Sequence, residues 1–334
     1  MFIRRSSILS LKSILGATAL GFCLATPAAA QQSQIINIGT ASINGFWYAS
    51  AGFICDVVQK TQRQLGHQVR CTVEVGKGSV ANLRGIREGH LTAGYAQSDW
   101  QYHSYRGSNV FQQEGANQDL RFLMAIQADP LHLVVRRDSG IRALDDIRGK
   151  RVNTGNPGSG TEATNYQLFG YMKLDPKRDF RLESKLDPRE QAAALCDNKI
   201  DAYFIASGQP ASLVEEATNV CDAAVVPLTG PAVDKLLADS PYFVRHTIGA
   251  GVYRGQSTPV ATFAIPTTIV ASEKNLSAEA AYYMVKAVFD NFEEFKSRAA
   301  AFALLTREGS ANGGRSIPHH PGALKYYKEV GLVK

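Results

Sequence analysis

The chain has 334 residues, with 36 Lys+Arg against 30 Asp+Glu for a formal net charge of +6, and 45% of it is hydrophobic. The charges are interspersed and no run of Lys or Arg exists, so a nucleic-acid-binding surface has no support. Beyond the N-terminal region no stretch is long and apolar enough to cross a bilayer, the nearest, residues 257–272, carrying Pro259 and Pro266.

The N-terminus has the pattern of a secretory signal. Arg4, Arg5 and Lys12 supply positive charge, residues 14–24 an apolar stretch, and Ala28, Ala29 and Ala30 a small-residue cleavage site. The apolar core is too short for an anchor and contains Gly16 and Gly21. Phe22 before Cys23 argues against lipidation, and Ser7 against a twin-arginine signal. Cleavage after Ala30 and a periplasmic location are expected. Loss of residues 1–30 removes three Lys or Arg and no acid, so the net charge falls from +6 to +3. The chain that remains exceeds what one core usually holds, so two lobes are expected.

Short β-branched runs then alternate with longer amphipathic stretches, which predicts α/β layers on mostly parallel sheets. A first strand over 35–39 leads through a loop at 40–45 to a helix over 46–65. A strand over 69–75 is followed by the loop Gly76-Lys77-Gly78-Ser79 and a helix over 80–88, with Ser79 as its N-cap. A third strand over 91–96 ends at Gln97-Ser98-Asp99. The plan then repeats: strands over 131–136, starting after Pro130, and 150–155; a loop over 156–161 into a helix over 162–172; a helix ending over 191–196; a strand over 200–204; a loop over 206–210; and a helix over 211–217. A strand over 266–271 and helices over 277–305 and 322–330 finish the chain. Pairing of 266–271 with 131–136 would make the chain cross between lobes twice, forming a hinge and a cleft. The lobes are placed at 31–129 and 130–264, with 265–334 returning to the first.

Besides Cys23, four cysteines remain, Cys55, Cys71, Cys196 and Cys221, in two close pairs without a Cys-x-x-Cys pattern. In an oxidising compartment two local disulfides are expected, Cys55 with Cys71 and Cys196 with Cys221, each contributing about 3 kcal/mol by loop entropy.

Helix N-termini present unpaired N–H groups and partial positive charge, and in open α/β sheets they gather at the carboxyl ends of the strands. Small and hydroxylated residues fill these loops in both halves: Thr40, Ala41 and Ser42; Gly78 and Ser79; Ser98; Ser159, Gly160 and Thr161; Ser207 and Gly208. The implied guest is a small anion, most simply a carboxylate. Asn44 belongs to the same first loop. Phe46, Trp47, Tyr48, Trp100 and Phe204 are candidate pocket walls. Asn82, Gln97 and Asp99 stand where an ammonium or amide of the ligand could be held.

Catalytic patterns are weak. The loop over 155–161 lacks the Lys of a phosphate loop, Ser159 is not in a Gly-x-Ser-x-Gly elbow, and the seven His include no metal-ligand pair, His319 and His320 being adjacent. No enzyme activity, metal or cofactor is expected.

These segments, taken together, resemble the TAXI family, solute-binding subunits of TRAP (tripartite ATP-independent periplasmic) transporters. They are Gly39-Thr40 with Tyr48; Gly78-Ser79-Val80 with Asn82-Leu83; Gln97-Ser98-Asp99; Pro130-Leu131-His132-Leu133-Val134-Val135-Arg136; Gly158-Ser159-Gly160-Thr161-Glu162; Ile200-Asp201-Ala202; and His320-Pro321-Gly322-Ala323 with Tyr326-Tyr327. The resemblance implies a two-lobed periplasmic-binding-protein fold (Venus flytrap, type II-like) with two crossovers at the hinge. It also implies a monomer that delivers ligand to a membrane TRAP permease, with glutamate or glutamine first among ligands and a dicarboxylate second. The first loop, with Trp47, is bulkier than that family's run of glycines. The alternative is a periplasmic binding protein that feeds a sensor.

Overall fold

The computed structural model describes residues 34–334, and the expected signal sequence with its cleavage after Ala30 lies outside the described residues. Strand β1 (Ile35–Gly39) buries Ile36 and Ile38 and exposes Ile35, the alternation of a strand. Helix α1 (Phe46–Leu65) turns Trp47, Ala51, Ile54 and Val58, three or four residues apart, to the core. It ends at Gly66, whose left-handed conformation (φ 69°) lets its N–H bond the Gln62 carbonyl. Then follow β2 (Arg70–Glu74), α2 (Ser79–Glu88), β3 (Ala93–Gln97), α3 (Ser98–Arg106) and the long strand β4 (Leu120–Arg136). The second series comprises β5 (Arg151–Asn153), α4 (Gly160–Tyr171), β6 (Leu182–Ser184), β7 (Ala202–Ala206), β8 (Ala223–Val226), β9 (Val244–Ile248) and β10 (Val260–Ser272).

The strands run in the order β2-β1-β3-β10-β4-β7-β5-β6, with β8 on β4 and β9 on β10. Pairing is parallel within β2-β1-β3 and within β7-β5-β6, and antiparallel wherever β4 or β10 takes part. The expected mostly parallel sheets are therefore joined into a mixed one. β4 and β10 are the two crossings, and the chain has the two-lobed α/β fold of periplasmic binding proteins. One core packs α1 and the helices Ala278–Asp290 and Pro321–Glu329 on the first sheet through residues such as Ile54, Val58, Met284 and Tyr327. Another packs Leu133, Val152, Leu168, Phe169 and Phe204 in the second lobe.

Four expectations are corrected. The strand foreseen to start after Pro130 begins eleven residues earlier and runs through it, because Pro130 sits where β4 changes partner from β10 to β7. Its missing N–H breaks no ladder there, and its carbonyl accepts from Ser207 N. For the same reason β10 meets β4 over Leu120–Pro130 rather than over 131–136. The helix foreseen over 277–305 is broken at Asn291 (φ −112°, ψ 33°) into Ala278–Asp290, Phe292–Ser297 and a turn at Ala300–Phe302. Ser79 is the first residue of α2 rather than its cap. Gly78 (φ 109°) holds the cap position, and the Ser79 hydroxyl accepts from Gln97 N at 3.1 Å.

Both disulfides are present. Cys55–Cys71 ties α1 to β2 and Cys196–Cys221 ties the ends of two helices, with Cα separations of 4.9 and 5.3 Å inside the usual range.

Candidate ligand-binding site

The ends of β1, β3, β5 and β7 open into loops that face one another across the cleft, around a cavity of about 280 Å³. From the first lobe come Ala41, Ser42, Asn44, Phe46, Trp47, Lys77, Gly78 and Gln97. From the second come Asn156, Ser159, Gly160 and Thr161 at the start of α4, Ser207 and Gly208 after β7, and residues 211–213 at the start of helix Ser212–Val220. Helices α1, α2, α4 and Ser212–Val220 are among those that begin at the cavity wall. Three of those starts, at Gly45, Gly78 and Ala211, carry no side-chain cap. At α4 the Ser159 hydroxyl accepts from Glu162 N at 3.0 Å, and the Thr161 hydroxyl accepts from Ala206 N at 3.2 Å. Each hydroxyl keeps its proton to donate.

The lobes meet closely. Ala81 N donates to Gly158 O and Asn156 Nδ2 to Lys77 O, each at 3.1 Å. Gly160 is dictated by this approach, because a Cβ there would stand 1.8 Å from Gln97 Oε1. Away from the cavity, Trp100 Nε1 donates to Gly160 O and to Thr164 Oγ1, and the Thr164 hydroxyl donates to Asp99 Oδ2 at 2.8 Å. Ser98 Oγ donates to Tyr242 O at 3.0 Å. Burial pushes the Asp99 carboxyl up to about 7, against the lowering effect of Thr164 and backbone N–H groups. Burial likewise lowers His103, in contact with Trp100 and Tyr242, to about 4.

Among the residues foreseen as a site, Ala41, Asn44, Gln97, Ser159, Gly160, Thr161 and Gly208 line the cavity. So do Ser42, Gly78, Ser207, Phe46 and Trp47, while Thr40, Tyr48, Ser79, Asn82, Ser98, Asp99, Trp100 and Phe204 do not. Thr40 donates its hydroxyl to Glu74 O at 2.7 Å and closes the loop after β1. Asn82 spends its amide on the carbonyls of Gly39, Thr40 and Tyr95. Ser79, Ser98 and Asp99 serve the contacts just described. Phe204 packs edge-on against Phe169 in the second core, centroids 5.8 Å apart. Tyr48 is half-buried on α1 outside the lining. Trp100 is walled into the interlobe seam, whereas Phe46 and Trp47 do face the cavity.

Trp47 is held from behind. Its Nε1 donates to Asp129 Oδ2 at 2.9 Å and its ring stacks on Tyr95. Asp129, wholly buried on β4, also accepts from Thr267 at 2.5 Å, from Gln127 and from the Gly208 backbone. Burial raises its pKa.

Lys77 and Asn156 are lining residues the sequence reading passed over. The signal for Lys77 was present: a cation between two glycines just before a helix start. Lys77 forms no ion pair with a described residue and is the one charged side chain of the described lining. Two lining polar atoms have no partner: Gln97 Oε1, on a residue 1% exposed, and Ser42 Oγ, on a residue 8% exposed. Among the described residues no three His, Cys, Asp or Glu are placed to hold a metal, and no helix is long and apolar enough to cross a membrane. His319 and His320 each bond a backbone carbonyl, of Ala311 and Leu276.

A profile of the NMT1-like family matches residues 38–331. Among solved structures, a protein of Bordetella bronchiseptica RB50 is similar with a TM-score of 0.50 at 15% identity, over 90% of this chain and 81% of that one. The alkanesulfonate-binding protein SsuA from Xanthomonas axonopodis pv. citri bound to MOPS gives 0.48 at 16%, over 90% and 80%. A putative L-cystine ABC transporter from Listeria monocytogenes gives 0.45 at 12%, over 79% and 93%. At such identities the likeness is one of fold.

Proposed function

Since the chain belongs to the NMT1-like family, we propose that it is a periplasmic solute-binding receptor, without enzyme activity of its own, that traps a small carboxylate between its lobes. The observation that carries this reading is the convergence of helix starts from both lobes on one cavity whose only charged lining side chain, among the described residues, is Lys77. Backbone N–H groups and partial positive ends favour a negative guest. A guest touched by both lobes binds the closed arrangement better than an open one, and that difference drives closure. The carboxylate lies at Ser159, Gly160 and Thr161, with the first-loop residues Ala41, Ser42 and Asn44 approaching from the other lobe.

Delivery is to the membrane subunits of a TRAP transporter. This part of the proposal rests on the resemblance carried by Gly78-Ser79-Val80, Gln97-Ser98-Asp99 and Gly158-Ser159-Gly160-Thr161-Glu162. The test is mass spectrometry of the small molecule released when protein purified from the periplasm is denatured, followed by a thermal-shift screen. A carboxylate at 100 times its dissociation constant should add about 2.7 kcal/mol of stability. If only sugars, cations or apolar compounds stabilise the protein, the proposal fails.

A further inference from the structure

We infer that the ligand is an organic acid without an ammonium group, and that the cavity selects against the α-amino acid of the same carbon skeleton. The inference deepens the carboxylate-receptor proposal and rests on it. An α-amino acid brings a cation as well as an anion, and a buried ammonium needs a negative partner. None lines the cavity: among the described residues the lining holds no Asp or Glu, and it holds Lys77.

Asp187, beside the lining residue Pro188, accepts from Arg189, and three further acids close to the lining are committed elsewhere. Asp99, foreseen as the ammonium's partner, faces Thr164 and the Trp100 backbone in the interlobe seam. Asp129 lies behind Trp47 and accepts from Trp47, Thr267, Gln127 and Gly208. Glu162 accepts from Gly158 N at 3.0 Å and from Lys185 Nζ at 2.7 Å. Burial works against the charged form of both Asp99 and Asp129, and neither carboxyl belongs to the cavity lining.

What the cavity does offer is neutral and unspent. Gln97 Oε1 and Ser42 Oγ are buried and lack partners, on two residues that line the cavity together with the uncapped helix starts. The Ser42 hydroxyl can donate to a carbonyl or carboxylate oxygen, Gln97 Oε1 can only accept, as from a ligand hydroxyl, and neither neutral group balances the charge of an ammonium. With Lys77 at the same wall, the only charges a ligand cation meets in the described lining are like charge and positive helix ends.

The experiment is isothermal titration calorimetry on the mature protein with three matched pairs: L-lactate and L-alanine, L-malate and L-aspartate, 2-oxoglutarate and L-glutamate. In each pair that binds, the organic acid should bind at least 10-fold more tightly. Equal or tighter binding of the amino acid overturns this inference and leaves the carboxylate proposal standing. Silence from all six compounds overturns both. Gln97→Glu, checked for folding by circular dichroism, places an acid at the unspent amide. It should weaken the organic acid at least 10-fold and narrow the ratio within the pair. An unchanged ratio would overturn the role given to Gln97 while the wild-type pairs still decide the inference.

Discussion

Trp100 and Gly160 belong to different lobes, and the indole N–H of the first, which is not part of the cavity lining, donates to the carbonyl of the second at 3.2 Å. The same N–H reaches Thr164 Oγ1 at 3.2 Å. Trp100→Phe keeps a ring in the seam and removes both bonds. At about 1 kcal/mol per bond, ligand affinity should fall roughly 10- to 30-fold although the residue touches no ligand. Calorimetry beside a thermal melt measures it, and unchanged affinity would mean that closure does not draw on these bonds.

Gly160→Ala separates closing from folding. The new Cβ would collide with Gln97 Oε1 and with Ser79 Oγ of the opposite lobe, while the helix start of α4 itself accepts alanine. Affinity should drop by roughly 100-fold, equivalent to about 3 kcal/mol, with little loss of melting temperature. Full affinity in this variant would show that the lobes need not approach so closely.

Asp99 makes a pH-dependent contribution whose sign is fixed by the direction of its shift. Its folded pKa is raised to about 7 from 3.8, so the stability it contributes is fully present below about 4 and is lost as pH rises towards about 7. Histidines 103, 132 and 320, each lowered to about 4 by burial, act oppositely between about 4 and 6.5. The difference between wild type and Asp99→Asn isolates the carboxyl. Denaturant titrations should show wild type losing ground to the variant by roughly 1 kcal/mol per pH unit between pH 5 and 7. A difference that is flat with pH would place Asp99 outside this account.

The two disulfides close sequence separations of 16 and 25 residues. Paired Cys→Ser substitution at either should cost about 3 kcal/mol in equilibrium unfolding. A cost well under 1 kcal/mol for both pairs would remove them as stabilisers.

Local rules made much of this legible. The bounds of β1 and α1 follow from the Ile35–Gly39 alternation and from Gly66, and the cysteine pairs from their closeness in the chain. Tertiary context decided the rest. Nothing around Pro130 in the sequence says that a strand changes partners there. Thr40, Ser79, Asn82 and Asp99 look like ligand donors because their hydroxyls, amide and carboxyl are polar and lie in loops or at helix starts. The folded chain gives them to neighbouring carbonyls, N–H groups or Thr164 instead. Phe204 reads equally as wall or core until Phe169 is seen against it.

The place of β10 between β3 and β4 also governs the order in which the protein can be built. Gln97 at the end of β3 pairs with Thr267, which follows the whole second lobe in the chain. Until that strand emerges, β3 has an unpaired edge and the first sheet is half made. An edge of that kind invites pairing with another chain, and non-local closure is slow. The N-terminal lobe, synthesised first, is therefore completed only after most of the second has been made, and a chain cut short before residue 260 cannot finish its first sheet.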